Sequence, residues 1–215
     1  MNVPQARQQS PAEEVANSVS HGIGFLLAVA ALPILVHSSL QQASGALHTL
    51  SVAVFAATMM LLYLSSALFH GLPPGRSKLF FEKVDHAAIY LFIAGSYTPF
   101  AAPALQGLQA WLMFALVWTL AVLGVVYSLS KRVERPLLST GLYVALGWMV
   151  LLAALPWIGQ VSTTGVTLLL AGGVAYTLGA ALFLLSSRLR FAHLVWHLFV
   201  MAGSGLHFFA TLSQA

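Results

Sequence analysis

Along the chain, long apolar runs alternate with short polar breaks, and the length of the runs is the first clue. A helix needs about 20 mainly apolar residues to cross the hydrocarbon core of a bilayer. Seven runs of that size occupy residues 18–38, 46–70, 86–105, 109–130, 138–157, 163–186 and 193–213. Residues 86–130 and 138–186 are each too long for a single helix. Pro103 with Gly107 and Pro156 with Gly159 interrupt them, and a helix breaks at such positions, so each stretch reads as a tight helical hairpin. The longest connection is 71–85. With no internal repeat and no linker, the pattern predicts an all-α, seven-transmembrane helix bundle. Residues 1–17 form a short N-terminal segment and residues 18–213 a single transmembrane domain.

Composition supports this reading. Of 215 residues, 59% are apolar and 7% charged, whereas soluble domains carry about 25% charged residues. A mean hydropathy of +0.87 also excludes a chain left unfolded in water. The net charge of +4 does not imply nucleic acid as a partner, because the basic residues are not gathered on a water-facing domain. Their positions report topology instead. Arg7 precedes the first run; Arg76, Lys78 and Lys83 lie between the second and third; Lys131, Arg132 and Arg135 follow the fourth; Arg188 and Arg190 precede the seventh. All nine therefore fall on one side, which by the positive-inside rule is cytoplasmic. The N-terminus is expected inside and the C-terminus outside. The opening MNVPQARQQSPAEE lacks the features of a cleaved signal peptide, so the first helix is expected to remain in the mature protein. Without cysteine there is no disulfide framework or thiolate zinc site, and any metal must rest on His, Asp or Glu.

Ionisable groups inside a span are costly and carry functional hypotheses. His193 and His197 stand at i and i+4, on one face of the seventh helix. Alone, the pair suits either a metal ion or interfacial packing. Ser66 and His70 repeat the spacing at the end of the second helix, and Asp85 stands at the expected first turn of the third. By topology all these residues lie at similar depth. Three imidazoles plus water form a catalytic zinc shell with an open position, and Asp85 suits a nearby proton acceptor or a fourth ligand. Glu14, Asn17 and His21 form a further stripe on one helix face. It reads either as an interfacial turn capped by Asn17 or Ser18, or as a support in which Glu14 anchors a ligand from behind.

The remaining polar and aromatic positions take plainer readings. His37 and His48 are expected at the outer interface, and His86 beside Asp85. His207 lies about 15 Å along the helix from His197, too far to share its ion; with Ser204 it marks an internal polar path. The segment Gly95 to Pro99, G-S-Y-T-P, suits a kink or a cavity wall. Gly172, Gly173 and Gly179 suit close helix approach. Trp111, Trp148, Trp157 and Trp196 read as interfacial anchors, and Arg and Lys as topological markers.

Taken in order, E-x-x-N-x-x-x-H from Glu14 to His21, S-x-x-x-H from Ser66 to His70, Asp85, and H-x-x-x-H from His193 to His197 form a pattern that resembles the hemolysin III family. That family is the bacterial branch of the progestin and adipoQ receptor family. The resemblance runs from Glu14 to His207 and includes G-S-Y-T-P. It implies a multi-pass protein of the bacterial cytoplasmic membrane, with zinc held by His70, His193 and His197 near the cytoplasmic leaflet and Ser66 and Asp85 beside it. Alkaline ceramidases share the three-His, Ser and Asp arrangement, and adiponectin receptors are linked to the same lipid-amide chemistry. This chain departs at its extremities, which are short, so a folded hormone would find only short outer loops.

Two functions follow from this reading. The first is a zinc-dependent hydrolase of a lipid amide or ester that enters laterally from the inner leaflet, with membrane lipid as its partner. Asp85 would accept or return a proton, and Ser66 would donate to the developing oxyanion or position water. The second is a non-enzymatic membrane protein, a pore-forming cytolysin or a sensor of lipid state, in which zinc ties the second and seventh helices together. Few intramembrane charges are present to line a wide aqueous pore.

Overall fold

A computed structural model describes residues 7, 9–42, 44–102, 105, 107–130 and 136–214, without the side chains of 153–157. Among them are seven α-helices and no strands. Helix α1 spans Pro11–Gln41, α2 Ala46–Gly71, α3 Arg76–Ala101 and α4 Leu108–Ser130. Helix α5, Pro136–Ala154, passes into a short 3-10 segment, Leu155–Gln160, before α6, Thr163–Leu185, and α7, Ala192–Leu212. The 3-10 segment contains Pro156 and Gly159, the expected break. Pro103 and the basic residues Lys131, Arg132 and Arg135 lie outside the described residues.

Two helices begin earlier than their apolar runs. Helix α1 starts at Pro11 because Ser10 caps it and Glu13 returns a side-chain bond to Ser10, a reciprocal capping box, with proline at the first helical position. Asn17 and Ser18 are therefore helical interior, and neither is the cap. Helix α3 starts at Arg76, because its first turns carry Arg76, Lys78, Glu82 and Lys83, which form helix readily but add no hydropathy. Asp85 consequently sits in the third turn of α3, not the first. Helices α1, α2, α4, α6 and α7 are long and apolar enough to cross a membrane. In α5 the corresponding apolar stretch, Pro136–Leu152, is shorter.

Sequential helices pack side by side, and α7 returns against α1 to close the bundle. Helix α3 touches α2, α4, α5 and α7, so it forms the inner partition. One core lies on its α1–α2–α7 side, around Leu35, Phe55, Met59, Tyr63, Phe92 and Val200. Another lies on its α4–α5 side, around Tyr90, Tyr97, Val117, Ala121 and Leu146. Residues 94–101 of α3 are buried without a break, as befits a helix covered on every side. The outer faces carry exposed Leu26, Leu27, Leu116 and Leu123, an apolar exterior that suits lipid.

Close approach at α6 comes from two of the three expected glycines. A Cβ at Gly179 would lie 2.8 Å from Phe199 Cβ on α7, and one at Gly172 would lie 2.6 Å from His207 Nε2. A Cβ at Gly173 would meet nothing within 4 Å; this glycine lines a cavity instead. His48 departs from its expected interfacial place. It heads the buried stripe His48, Ser51, Val52, Phe55 of α2, whose i, i+3, i+4, i+7 phase turns its ring inward. His37 is exposed.

Candidate metal centre and adjoining cavity

Helix α1 contributes a buried polar face. Glu13, Asn17, Ser20, His21 and Gly24 all point into the bundle. Opposite them, α2 supplies Ser66 and His70, and the first two turns of α7 supply His193 and His197. One ligand atom from each of His70, His193 and His197 lies within 4.8 Å of the others, close enough to hold a metal ion. His70 Nε2 and His193 Nε2 face each other at 3.2 Å.

Hydrogen bonds fix which nitrogen each ring presents. Glu14 Oε2 lies 2.8 Å from His70 Nδ1. A carboxylate oxygen only accepts, so Nδ1–H donates and the lone pair of His70 is on Nε2. On the other side of the site, the Ser20 hydroxyl donates its single proton to the Asn17 carbonyl at 2.8 Å. It can then only accept from His197 Nδ1–H, 3.1 Å away, which leaves the His197 lone pair on Nε2. That Nε2 has no hydrogen-bond partner among the described residues. His70 and His197 are thus each left with an Nε2 lone pair, and the three rings together offer nitrogens close enough for one cation.

Around this cluster the expected stripe of α1 separates into distinct contacts. Glu14 also accepts from Lys78 Nζ at 3.1 Å, and Lys78 in turn donates to the Phe69 carbonyl at 2.9 Å. Lys78 is therefore tied into the site and is more than a topological marker. Asn17 is fully buried and donates through Nδ2 to Gln9 Oε1 at 2.7 Å. His21 stacks flat on His197, with ring centroids 3.5 Å apart and planes 7° apart, and meets the Tyr63 ring edge-on. Asp85 and Ser66 are both buried, on α3 and α2 respectively. Next to Asp85, His86 donates from Nδ1 to the Glu82 carbonyl at 2.7 Å.

A cavity of ≈ 180 Å³ begins beside the histidines and runs between α3, α5, α6 and α7. His21, Asp85 and Trp196 lie on its wall at one end, Leu169 and His207 at the other. Its lining is mainly apolar, with Phe92, Ile93, Val144 and Leu151 among the residues involved. Ser96, Tyr97 and Phe100 bring the G-S-Y-T-P region into the wall, as expected for that segment. Trp148 of α5 and Leu170 of α6 line the cavity while being 39% and 41% exposed. The partition between α5 and α6 is thus shared with the outer surface. Trp148 and Trp196, expected as interfacial anchors, both line this wall. Trp196 also packs against His193, with ring centroids 4.9 Å apart. Trp111 remains on the outside, 49% exposed. At the end of the cavity away from the histidine cluster, His207 Nε2–H donates to the Leu169 carbonyl at 3.3 Å. Ser204 accepts from Tyr63 at 2.8 Å and from Tyr176 at 3.2 Å.

With this geometry in place, comparison with known proteins is informative. The model of the haemolysin-III related family matches residues 9–208. The chain belongs to the hemolysin III family. It is 40% identical over 201 residues to hemolysin-3 of Bacillus cereus, covering 93% of this chain and 90% of that one. It is 38% identical over 200 residues to a hemolysin-3 homolog of Bacillus subtilis (strain 168), covering 93% of both. More distantly, it is 27% identical over 205 residues to the human monocyte to macrophage differentiation factor, covering 92% of this chain and 82% of that protein. In this hemolysin III family member the matched region contains every residue of the histidine cluster and the cavity wall.

Several contributors to the site escaped the sequence reading. Glu13, Arg7, Ser20, Tyr63 and Lys78 all touch it or its supports. The S-x-x-E spacing of Ser10 and Glu13 is a visible capping-box signal that locates the true start of α1. Ser20 lies on the same α1 face as Asn17 and His21. Tyr63 and Lys78 carry no spacing that sets them apart.

Proposed function

We propose that this membrane protein is a zinc-dependent hydrolase of a lipid amide or ester. The observation that carries the proposal is the convergence of His70, His193 and His197 next to an apolar cavity whose wall includes Asp85 and His21, the ring stacked on His197. Two nitrogens bound to one tetrahedral zinc at 2.0–2.1 Å stand roughly 3.3 Å apart. The 3.2 Å between His70 and His193 Nε2 suits that geometry, and neutral imidazoles suit zinc better than magnesium or calcium. Asp85 stands outside the three-histidine group, which favours an open fourth position over a closed structural clamp.

Zinc held there supplies Lewis acidity, which lowers the pKa of water toward about 7 and polarises a carbonyl. The protein residues divide the remaining work. Glu14 holds His70 Nδ1–H, and Ser20 holds His197 Nδ1–H, so both rings keep an Nε2 lone pair available for the metal. Asp85 takes a proton from the attacking water and returns it to the leaving group. Ser66 orients that carboxylate, or turns its hydroxyl to the carbonyl oxygen as charge develops. The apolar wall from Ile93 to Leu151 receives acyl chains and excludes bulk water, and the α5–α6 partition at Trp148 and Leu170 is the lateral entrance.

Orientation follows from charge. Arg7, Lys78, Lys83 and Arg190 lie with the histidines at one end of the bundle: Arg7 bonds the carbonyls of Ser186 and Leu189, and Lys83 that of Leu129. By the positive-inside rule this end faces the cytoplasm, so the site opens toward the inner leaflet of the cytoplasmic membrane.

The test is elemental analysis of detergent-purified protein, with His70→Ala and His193→Ala/His197→Ala as controls, followed by hydrolysis assays on ceramides and other lipid amides and esters. About one zinc per chain, lost in both variants, together with product release is the expected result. A metal-free native protein would end the hydrolase reading and leave a sensor or cytolysin as the alternative.

A further inference from the structure

The carboxylate of Glu13 is 2% exposed and is the meeting point of three segments. As part of the α1 cap, its Oε2 accepts from the Ser10 backbone N–H and hydroxyl, both at 2.9 Å. It receives a two-pronged bond from Arg7, each prong 2.7 Å. Its Oε1 also accepts the Phe191 backbone N–H at 2.8 Å. Phe191 is the N-cap of α7. It has φ 57, the left-handed region, and no side chain caps the helix from within its own sequence. Arg7 extends the same clamp by donating to the carbonyls of Ser186 and Leu189 at 3.4 and 3.1 Å, in the turn between α6 and α7.

A strained N-cap followed within two residues by His193 raises a question of phase. Rotation or fraying of the first turn of α7 moves His193 and His197 directly, because orphan N–H groups at a helix start hold their place only through external partners. A buried carboxylate at that end supplies both an acceptor and a charge that favours the helix dipole. The next residue along α1, Glu14, holds His70 from the opposite side. Adjacent carboxylates of one helical turn therefore grip the two halves of the histidine cluster, Glu14 through the α2 ligand and Glu13 through the start of α7.

We propose that Glu13, held by Arg7, is a positioning residue for the metal centre: it caps α7 from α1 and sets the phase of His193 and His197 against His70. This rests on the reading of the three histidines as metal ligands. Glu13 touches neither the metal position nor the cavity, so it acts only through α7.

The test compares wild type, Glu13→Ala, Glu13→Gln, Arg7→Ala and Ser10→Ala, purified in detergent, stripped with chelator and titrated with zinc and with cobalt(II). Ser10→Ala removes the α1 cap while sparing the bond to Phe191, so it reports simple fraying of α1. The expected result is about tenfold weaker metal binding in Glu13→Ala with an altered cobalt ligand-field spectrum. Glu13→Gln, which keeps an acceptor for Phe191, should recover part of both, and Ser10→Ala should match wild type in both. Wild-type affinity and spectrum in Glu13→Ala would overturn the proposal, as would an equal loss in Ser10→Ala. If Glu13→Ala does not fold, Arg7→Ala and Glu13→Gln carry the comparison by the same criteria. A wild type that binds neither ion removes the metal centre itself, and the positioning role with it. Binding by wild type with unchanged variants removes the positioning role alone.

Discussion

Oε2 of Glu14 lies 2.8 Å from Nδ1 of His70, although 56 residues of chain separate them. This contact fixes the His70 tautomer and leaves its lone pair on Nε2. Replacement of Glu14 by Gln is expected to weaken metal binding about 10- to 100-fold, the usual cost of losing such a support. Calorimetric or competition titration of stripped protein measures it. An unchanged affinity would mean that the His70 ring is held by packing alone.

Asp85 and Ser66 stand beside the cluster but outside it. Asp85→Asn is expected to keep one metal per chain while turnover of a verified lipid substrate falls about 10²- to 10⁴-fold, the range for loss of a general base or acid. Metal analysis and kinetics on the same preparation separate the two effects. Loss of the metal together with the activity would make Asp85 a ligand.

An ion shared between α2 and α7 links helices from opposite ends of the chain. Binding to the folded state stabilises it, by about 2.7 kcal/mol when free metal is 100 times Kd. Chelator is therefore expected to lower the Tm of wild type and to leave that of His193→Ala/His197→Ala unchanged. Thermal unfolding in detergent with and without metal gives the comparison.

Two glycines of α6, Gly173 and Gly179, have opposite surroundings. Gly179→Ala drives a methyl group toward Phe199 Cβ, an atom that rotamer change does not move. A loss of about 1–3 kcal/mol is expected. Gly173→Ala meets nothing within 4 Å and is expected to be neutral or stabilising by up to about 1 kcal/mol through helix propensity. Equal effects at both positions would contradict the packing of α6 on α7.

Much of this molecule was legible in its hydropathy. Long apolar runs mark spans because lipid demands internally bonded helices, and the His and Asp spacings stand out against an apolar background. Helix starts were less legible. The early turns of α3 are helical but charged, so hydropathy alone places Asp85 in the first turn of its helix when it lies in the third, and starts α1 after its own cap at Ser10. Which partner each polar residue takes was not legible at all. Glu14 reaching His70, Ser20 reaching His197 and Glu13 reaching Phe191 are contacts between elements far apart in sequence, set by how the bundle closes. His48 and Trp196 were read outward for the same reason: nearness to a span end says nothing about which way the helix turns its face.

Closure of the bundle by α7 against α1 has a consequence for biogenesis. His70 and His193 are separated by 123 positions, and the clamp from Glu13 to Phe191 by 178. During synthesis, α1 and α2 enter the membrane carrying one histidine of the candidate triad, while the other two have yet to be translated. The buried carboxylates and imidazoles of these early helices wait for counterparts until the last span is inserted. A metal held by this triad would then load only at the final stage of assembly, and its retention would distinguish a fully inserted chain from one arrested before its seventh helix.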